Sequence, residues 1–114
     1  MLNNHFKYKE LIFFKQTKRL YCPRTGTMWK AFLHKSSGYY MFWLWGGRQK
    51  LNLHRIIGEL FIKKPNIKNK RMVVDHINRC RHDNRLDNLR WLTYKQNNNN
   101  RRSINWKYGY WYEG

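Results

Sequence analysis

The sequence predicts an α+β fold: an antiparallel β-sheet with a short helix, followed by a compact strand, loop, strand and helix. Three observations predict it. The runs TMWKAFLH, YYMFWLW and RQKLNLH are separated by SSG and GG, the pattern of strands joined by tight turns. In LHRIIGELFI, residues Leu53, Ile56, Ile57, Leu60 and Phe61 recur at helical spacing and form one apolar stripe. MVVDH and RLDNLRWL then lie at hairpin distance, and Thr93 with Gln96 three residues later has the form of a capping box that opens a helix.

Taken in order, residues 6–14 are expected to be extended, and RLYCPRTG reads as a strand end and a turn marked by Pro23 and Gly26. The antiparallel runs follow, then the helix packed on the sheet, with Trp91 and the helix stripe as core and His54 as a packing or hydrogen-bonding residue. KKPNIKNKR, residues 63–71, is a basic loop opened by Pro65. Asp75 and His76 end the next strand, and Asn97 falls in the first turns of the last helix. The 114 residues are read as one domain: residues 1–71 a β-rich N-terminal part, 72–102 the strand–loop–strand–helix segment, 103–114 a basic aromatic tail without assigned structure. In that tail Trp106, Tyr108, Tyr110, Trp111 and Tyr112 are placed either to stack on bases or to cover the sheet.

Composition narrows the partners. The chain holds 24 Lys and Arg against six Asp and Glu, for a formal charge of +18 and a pI of about 10.4. Such an excess repels itself and calls for a polyanion, and each phosphate contact releases counterions. Nucleic acid is favoured over an anionic membrane, because the cations are spread along the chain and not gathered on one amphipathic helix. The longest apolar run, residues 39–45, is far short of the ~20 residues that span a bilayer. The opening MLNNHFKYKELIFFKQ does not read as a signal peptide. Cys22 and Cys80 lack the spacing of a metal or redox pair, so a reduced, cytoplasmic location is expected. With His82 the two cysteines form only a weak zinc candidate.

Half of the acidic residues, Asp75, Asp83 and Asp87, lie within thirteen positions of this basic chain. A helix packed back on the hairpin brings Asp75 and Asn97 toward one point, and both offer oxygen. Mg²⁺ prefers hard oxygen donors and needs only one or two protein groups beside waters and a substrate phosphate. Neighbouring strand residues point to opposite faces, so Asp75 and His76 share a site only if the strand ends or bends between them. The loop that starts at Ile77 supplies such a break.

DHINRCRHDNRLDNLRWLTYKQN resembles the HNH endonuclease motif in the form found in phage homing endonucleases. The DH pair, the NRLDNLRWLT core and an Asn four residues beyond Thr93 match that form in order and spacing. GYYMFWLWGGRQKLNLHRIIGELFI resembles, more diffusely, the segment that precedes it, so the likeness covers about residues 38–100. The resemblance implies a ββα-metal fold and divalent-metal-dependent cleavage of DNA. It implies His76 as general base, Asp75 and Asn97 as metal ligands, and Asn88 as the residue that braces the loop and orients the histidine. Asn97 stands where the name-giving pattern has His, which points to Mg²⁺ or Mn²⁺ instead of zinc; a one-residue shift of the helix would put Asn98 there. Arg79, Arg81, Arg85, Arg101 and Arg102 are candidate DNA contacts, the last two directly behind the metal helix. Asp83 and Asp87 tune the loop, cap turns or pair with Arg79, Arg81 or Arg85.

Only 17 residues follow Asn97, so target choice is expected to rest on the N-terminal strands, such as a β-ribbon in the major groove, or to be relaxed. Whether the chain acts as a monomer or a homodimer is left open. The rival reading is a basic nucleic-acid-binding module without catalysis, which would have no need of Asp75, His76, Asn88 and Asn97 together. A third is a basic structural protein with a retired nuclease site.

Overall fold

The computed structural model describes residues 4–68, 70–100 and 110–111. The chain divides into two compact units between Ile56 and Ile57.

The first unit opens with β1 (His5–Tyr8), β2 (Leu11–Phe14), β3 (Arg19–Cys22) and β4 (Thr27–Lys30), an antiparallel meander paired in sequence order. Its register places Phe6, Tyr8, Leu11, Phe13, Leu20 and Cys22 on one face. Of these, Phe13 and Leu20 are fully buried and Tyr8, Leu11 and Cys22 nearly so. The stretch expected to be extended is thus a hairpin. Its turn holds Lys9 at φ 55°, and the next turn holds Lys18 at φ 56°. Gly26, at φ 72°, closes the turn between β3 and β4, where its N–H donates to the Cys22 carbonyl at 2.8 Å.

TMWKAFLH is not one strand. It breaks at Ala31 into β4, paired with β3, and β5 (Phe32–His34), paired with β6 (Tyr39–Leu44). β7 (Gln49–Asn52) completes a second three-stranded sheet. Between β6 and β7 the chain turns through Trp45, Gly46 and Gly47, all at positive φ. Trp29 and Trp45 meet edge to face at 4.8 Å, fastening β4 to that turn. Phe42 and Leu44 are fully buried. Helix α1 (Leu53–Phe61) follows at once, its ring of His54 stacked on Tyr39 at 5.0 Å, so His54 is a packing residue here.

In the second unit, β8 (Met72–His76) pairs antiparallel with β9 (Leu89–Thr93), and the backbone of β10 (Tyr110–Trp111) adds to the other edge of β9. Helix α2 (Tyr94–Asn100) lies against β8 and β9. The strand read in RLDNLRWL begins only at Leu89, because Leu86–Asn88 form a 3-10 turn. Trp91 is fully buried, and its indole Nε1–H donates to the Ile62 carbonyl at 3.0 Å. Gly58 of α1 faces Val74 of β8 so closely that a Cβ there would stand 2.5 Å from Val74 Cγ2. The absence of a side chain at Gly58 therefore sets how near the helix lies to the strand that carries Asp75 and His76.

Candidate active site

The helix that bears Asn97 is positioned by its cap. Thr93 N–H donates to Gln96 Oε1 at 2.9 Å, and Gln96 N–H donates to Thr93 Oγ1 at 3.1 Å, so both halves of the capping box are made. Tyr94 N–H donates to the Arg71 carbonyl at 2.8 Å, tying the helix start to the residue before β8. Asn97 follows Gln96 at the end of the first turn and is half-buried.

His76 is the last residue of β8 and is 4% exposed. The alternation of the strand runs through it: Met72, Val74 and His76 are buried, while Val73 and Asp75 occupy the other face. The expected break between Asp75 and His76 is not found: the loop starts one residue later and the two side chains leave β8 on opposite faces, linked by the charge of the Asp75 carboxylate acting on the imidazole. The imidazole Nε2–H donates to Asn84 Oδ1 at 2.7 Å. Burial pushes the His76 pKa below its ordinary 6.5, opposed by the Asn84 hydrogen bond and by the carboxylates of Asp75 and Asp83.

The loop between the strands is locked from one side chain. Asn88 is buried. Its Oδ1 accepts from Asn78 N–H at 3.0 Å, and its Nδ2 donates to Asn78 Oδ1 at 2.9 Å and to the Asp83 carbonyl at 2.8 Å. Its backbone carbonyl accepts from Ile77 N–H at 2.8 Å. Arg79 turns the loop at φ 64°. Asp83 then gathers Arg85, which reaches both carboxylate oxygens at 2.9 Å, and Asn78 Nδ2 at 2.9 Å. The Arg85 guanidinium holds the Asp83 carboxyl well below the usual carboxylate range. Of the alternatives open for Asp83, the structure has it organising the loop through Arg85.

Asp75 stands opposite Arg90 across the β8–β9 ladder, and Arg90 Nε donates to Asp75 Oδ2 at 3.2 Å. The Arg90 side chain is 1% exposed and that of Asp75 16%. Burial raises the Asp75 pKa, and the Arg90 charge and hydrogen bond pull it back down. Among the described residues no three His, Cys, Asp or Glu side chains cluster around a point. The donors expected to hold a cation, the Asp75 carboxylate and the Asn97 amide oxygen, are both oxygens. This hard, sparse set suits an ion of the Mg²⁺ kind, which completes its shell with water and phosphate. Cys80 Sγ lies 3.2 Å from His82 Nε2, while Cys22 is buried in the first sheet.

Arg79, Arg81 and Arg85 are all exposed on this loop. Arg101 and Arg102 lie outside the described residues, as do Trp106, Tyr108 and Tyr112. Two residues at the site were not singled out from sequence. Asn84 is one of two asparagines in NRLDN, and nothing in its type distinguishes it. Arg90 becomes visible once the hairpin register is fixed, because Asp75 and Arg90 are then direct partners.

Comparisons with known proteins bear on this stretch of the chain. A family model described as HNH endonuclease matches residues 52–99. An uncharacterized HNH endonuclease of Acanthamoeba polyphaga mimivirus is 41% identical over 49 residues, covering 43% of this chain and 12% of that protein. A solved structure described as DNA binding and cleavage by the HNH homing endonuclease I-HmuI matches with a TM-score of 0.53 at 26% identity, over 82% of this chain and 52% of that one. The chain therefore spans only part of the length of the relatives it matches. The stretch that carries Asp75, His76, Asn88 and Asn97 lies within residues 52–99, which match the HNH endonuclease family model.

Proposed function

We propose that the chain is a metal-dependent DNA endonuclease that hydrolyses phosphodiester bonds, of the phage or mobile-element homing type. The observation that carries this reading is the buried His76 ring, held by Asn84 at the mouth of a loop that Asn88 locks. In this reading His76 accepts the proton of the attacking water, a role that needs a neutral imidazole. Burial favours that neutral form. Asp75 and Asn97 would hold the divalent ion, Mg²⁺ with Mn²⁺ as a substitute. When bound, that ion neutralises phosphate charge and stabilises the departing oxygen. Arg79, Arg81 and Arg85, with Arg101 and Arg102, meet backbone phosphates.

DNA as the partner is supported by the charge of +18 and by the DNA binding and cleavage attributed to I-HmuI. For the part before residue 72, support comes from the β1–β4 sheet, whose register puts Lys7, Arg19 and Lys30 with Phe14 and Tyr21 on the face opposite its core. Among the described residues no helix is long and apolar enough to cross a membrane.

A supercoiled-plasmid assay tests the reading. Wild type and His76→Ala are compared with Mg²⁺, with Mn²⁺ and with excess chelator. Relaxed or linear product that needs metal and vanishes in the variant is the expected result. Retarded but uncut plasmid in every metal, equal for both proteins and repeated on random-sequence DNA, would instead establish a binding module.

A further inference from the structure

We propose that Asn84 is the positioning residue for His76: by accepting from Nε2 it fixes the ring and assigns the proton-accepting lone pair to Nδ1. The proposal rests on His76 acting as the base.

The distance of 2.7 Å is at the short end of N–H···O hydrogen bonds. A neutral imidazole carries one N–H and one lone pair, and an amide oxygen only accepts. The acceptor on Nε2 therefore decides which nitrogen does the chemistry. Because His76 is 4% exposed, the ring has little water with which to replace this bond.

The loop is built to present Asn84. The residue before it, Asp83, is held at its carbonyl by Asn88 Nδ2 at 2.8 Å, and at its carboxylate by Asn78 and Arg85. The residue after it, Arg85, is held at its carbonyl by Asn88 N–H at 2.9 Å. Asn88 thus grips both neighbours of Asn84 and reaches the histidine through it. The loop asparagines form a chain of command: Asn88 fixes the loop, the loop fixes Asn84, and Asn84 fixes the ring.

The test uses the full chain with Asn84→Ala and Asn84→Asp. At saturating DNA and Mg²⁺, Asn84→Ala is expected to slow single-turnover cleavage by about 10- to 100-fold, the range for losing one orienting hydrogen bond, with DNA affinity unchanged. Asn84→Asp, which keeps an oxygen acceptor at the same reach, is expected to recover most of the rate. Nitrogen NMR of histidine-labelled protein, above the pH at which the ring titrates, should show His76 protonated on Nε2 with a slowly exchanging proton. That protection should be lost in Asn84→Ala and kept in Asn84→Asp. Cleavage by Asn84→Ala at the wild-type rate would overturn the proposal. So would a proton on Nδ1 in the wild type, which would mean the amide is turned to donate. If wild type cuts no DNA, the endonuclease reading fails, and the NMR comparison still decides whether Asn84 sets the ring.

Discussion

Asn88→Ala offers the most direct measure of how the loop is held. The substitution removes three side-chain hydrogen bonds, of 3.0, 2.9 and 2.8 Å, and keeps the backbone bonds of residue 88. At about 0.5–1.5 kcal/mol each, the three sum to about 1.5–4.5 kcal/mol. Asn78 is exposed, so water can satisfy its N–H and amide oxygen after the change. The Asp83 carbonyl, bonded beneath the loop, has a poorer substitute. A loss of about 2 kcal/mol is therefore expected, in the lower half of that range. Urea unfolding, followed by circular dichroism and tryptophan fluorescence, reads it. Cleavage should fall together with stability but persist in loss when measured far below the unfolding midpoint, because Asn84 is no longer presented to His76. A stability loss within about 0.5 kcal/mol, with cleavage intact, would refute the reasoning: such a change is what a neutral surface substitution gives.

Three further outcomes are expected. Gly58→Ala should cost about 1–2 kcal/mol, since overpacking against Val74 outweighs the helix propensity gained; in a Val74→Ala background the same change should cost nothing, read as a double-mutant cycle in urea. Arg90→Met should destabilise the fold by about 3 kcal/mol, as expected when one member of a buried ion pair is removed and Asp75 is left without its cross-strand cation. For pH, His76 is depressed below 6.5 by burial, so its neutral form belongs to the fold: the stability this contributes is complete above that value and disappears as pH falls through the lower folded pKa. The acid limb of the cleavage rate should accordingly have its midpoint below 6.5 and become flat above it, measured in single turnover.

Much of the second unit was legible because its signals are local. The Thr93 and Gln96 capping box lies within one turn of helix and is made as read. MVVDH is a β-branched run and forms β8. The α1 stripe buries Leu53, Ile56 and Ile57, with Leu60 and Phe61 half-buried. The first unit hid two of its turns, because Lys9 and Lys18 enter the left-handed region without the glycine or asparagine that would announce it. The break at Ala31 was equally silent: a strand that changes sheet keeps its apolar pattern, and only the pairing partners reveal the change. At the candidate site, the family resemblance pointed to His76, Asp75 and Asn88. It did not name Asn84 or Arg90, whose roles depend on loop closure and on register.

The Arg90 guanidinium beneath Asp75 has a consequence for how such a protein lives between encounters with DNA. Many small metal proteins owe their fold to the ion and collapse when it is stripped. Here the carboxylate already has a resident counter-charge supplied by the neighbouring strand. The scaffold should therefore survive chelation with its melting temperature nearly unchanged, and regain cleavage when Mg²⁺ is restored. If Asp75 serves as a metal ligand, as proposed, the same resident charge would compete with an incoming cation for its carboxylate and weaken binding of the ion alone. A substrate phosphate would shift that balance, so under the proposed function ion and DNA should bind together, leaving the protein idle where DNA is absent.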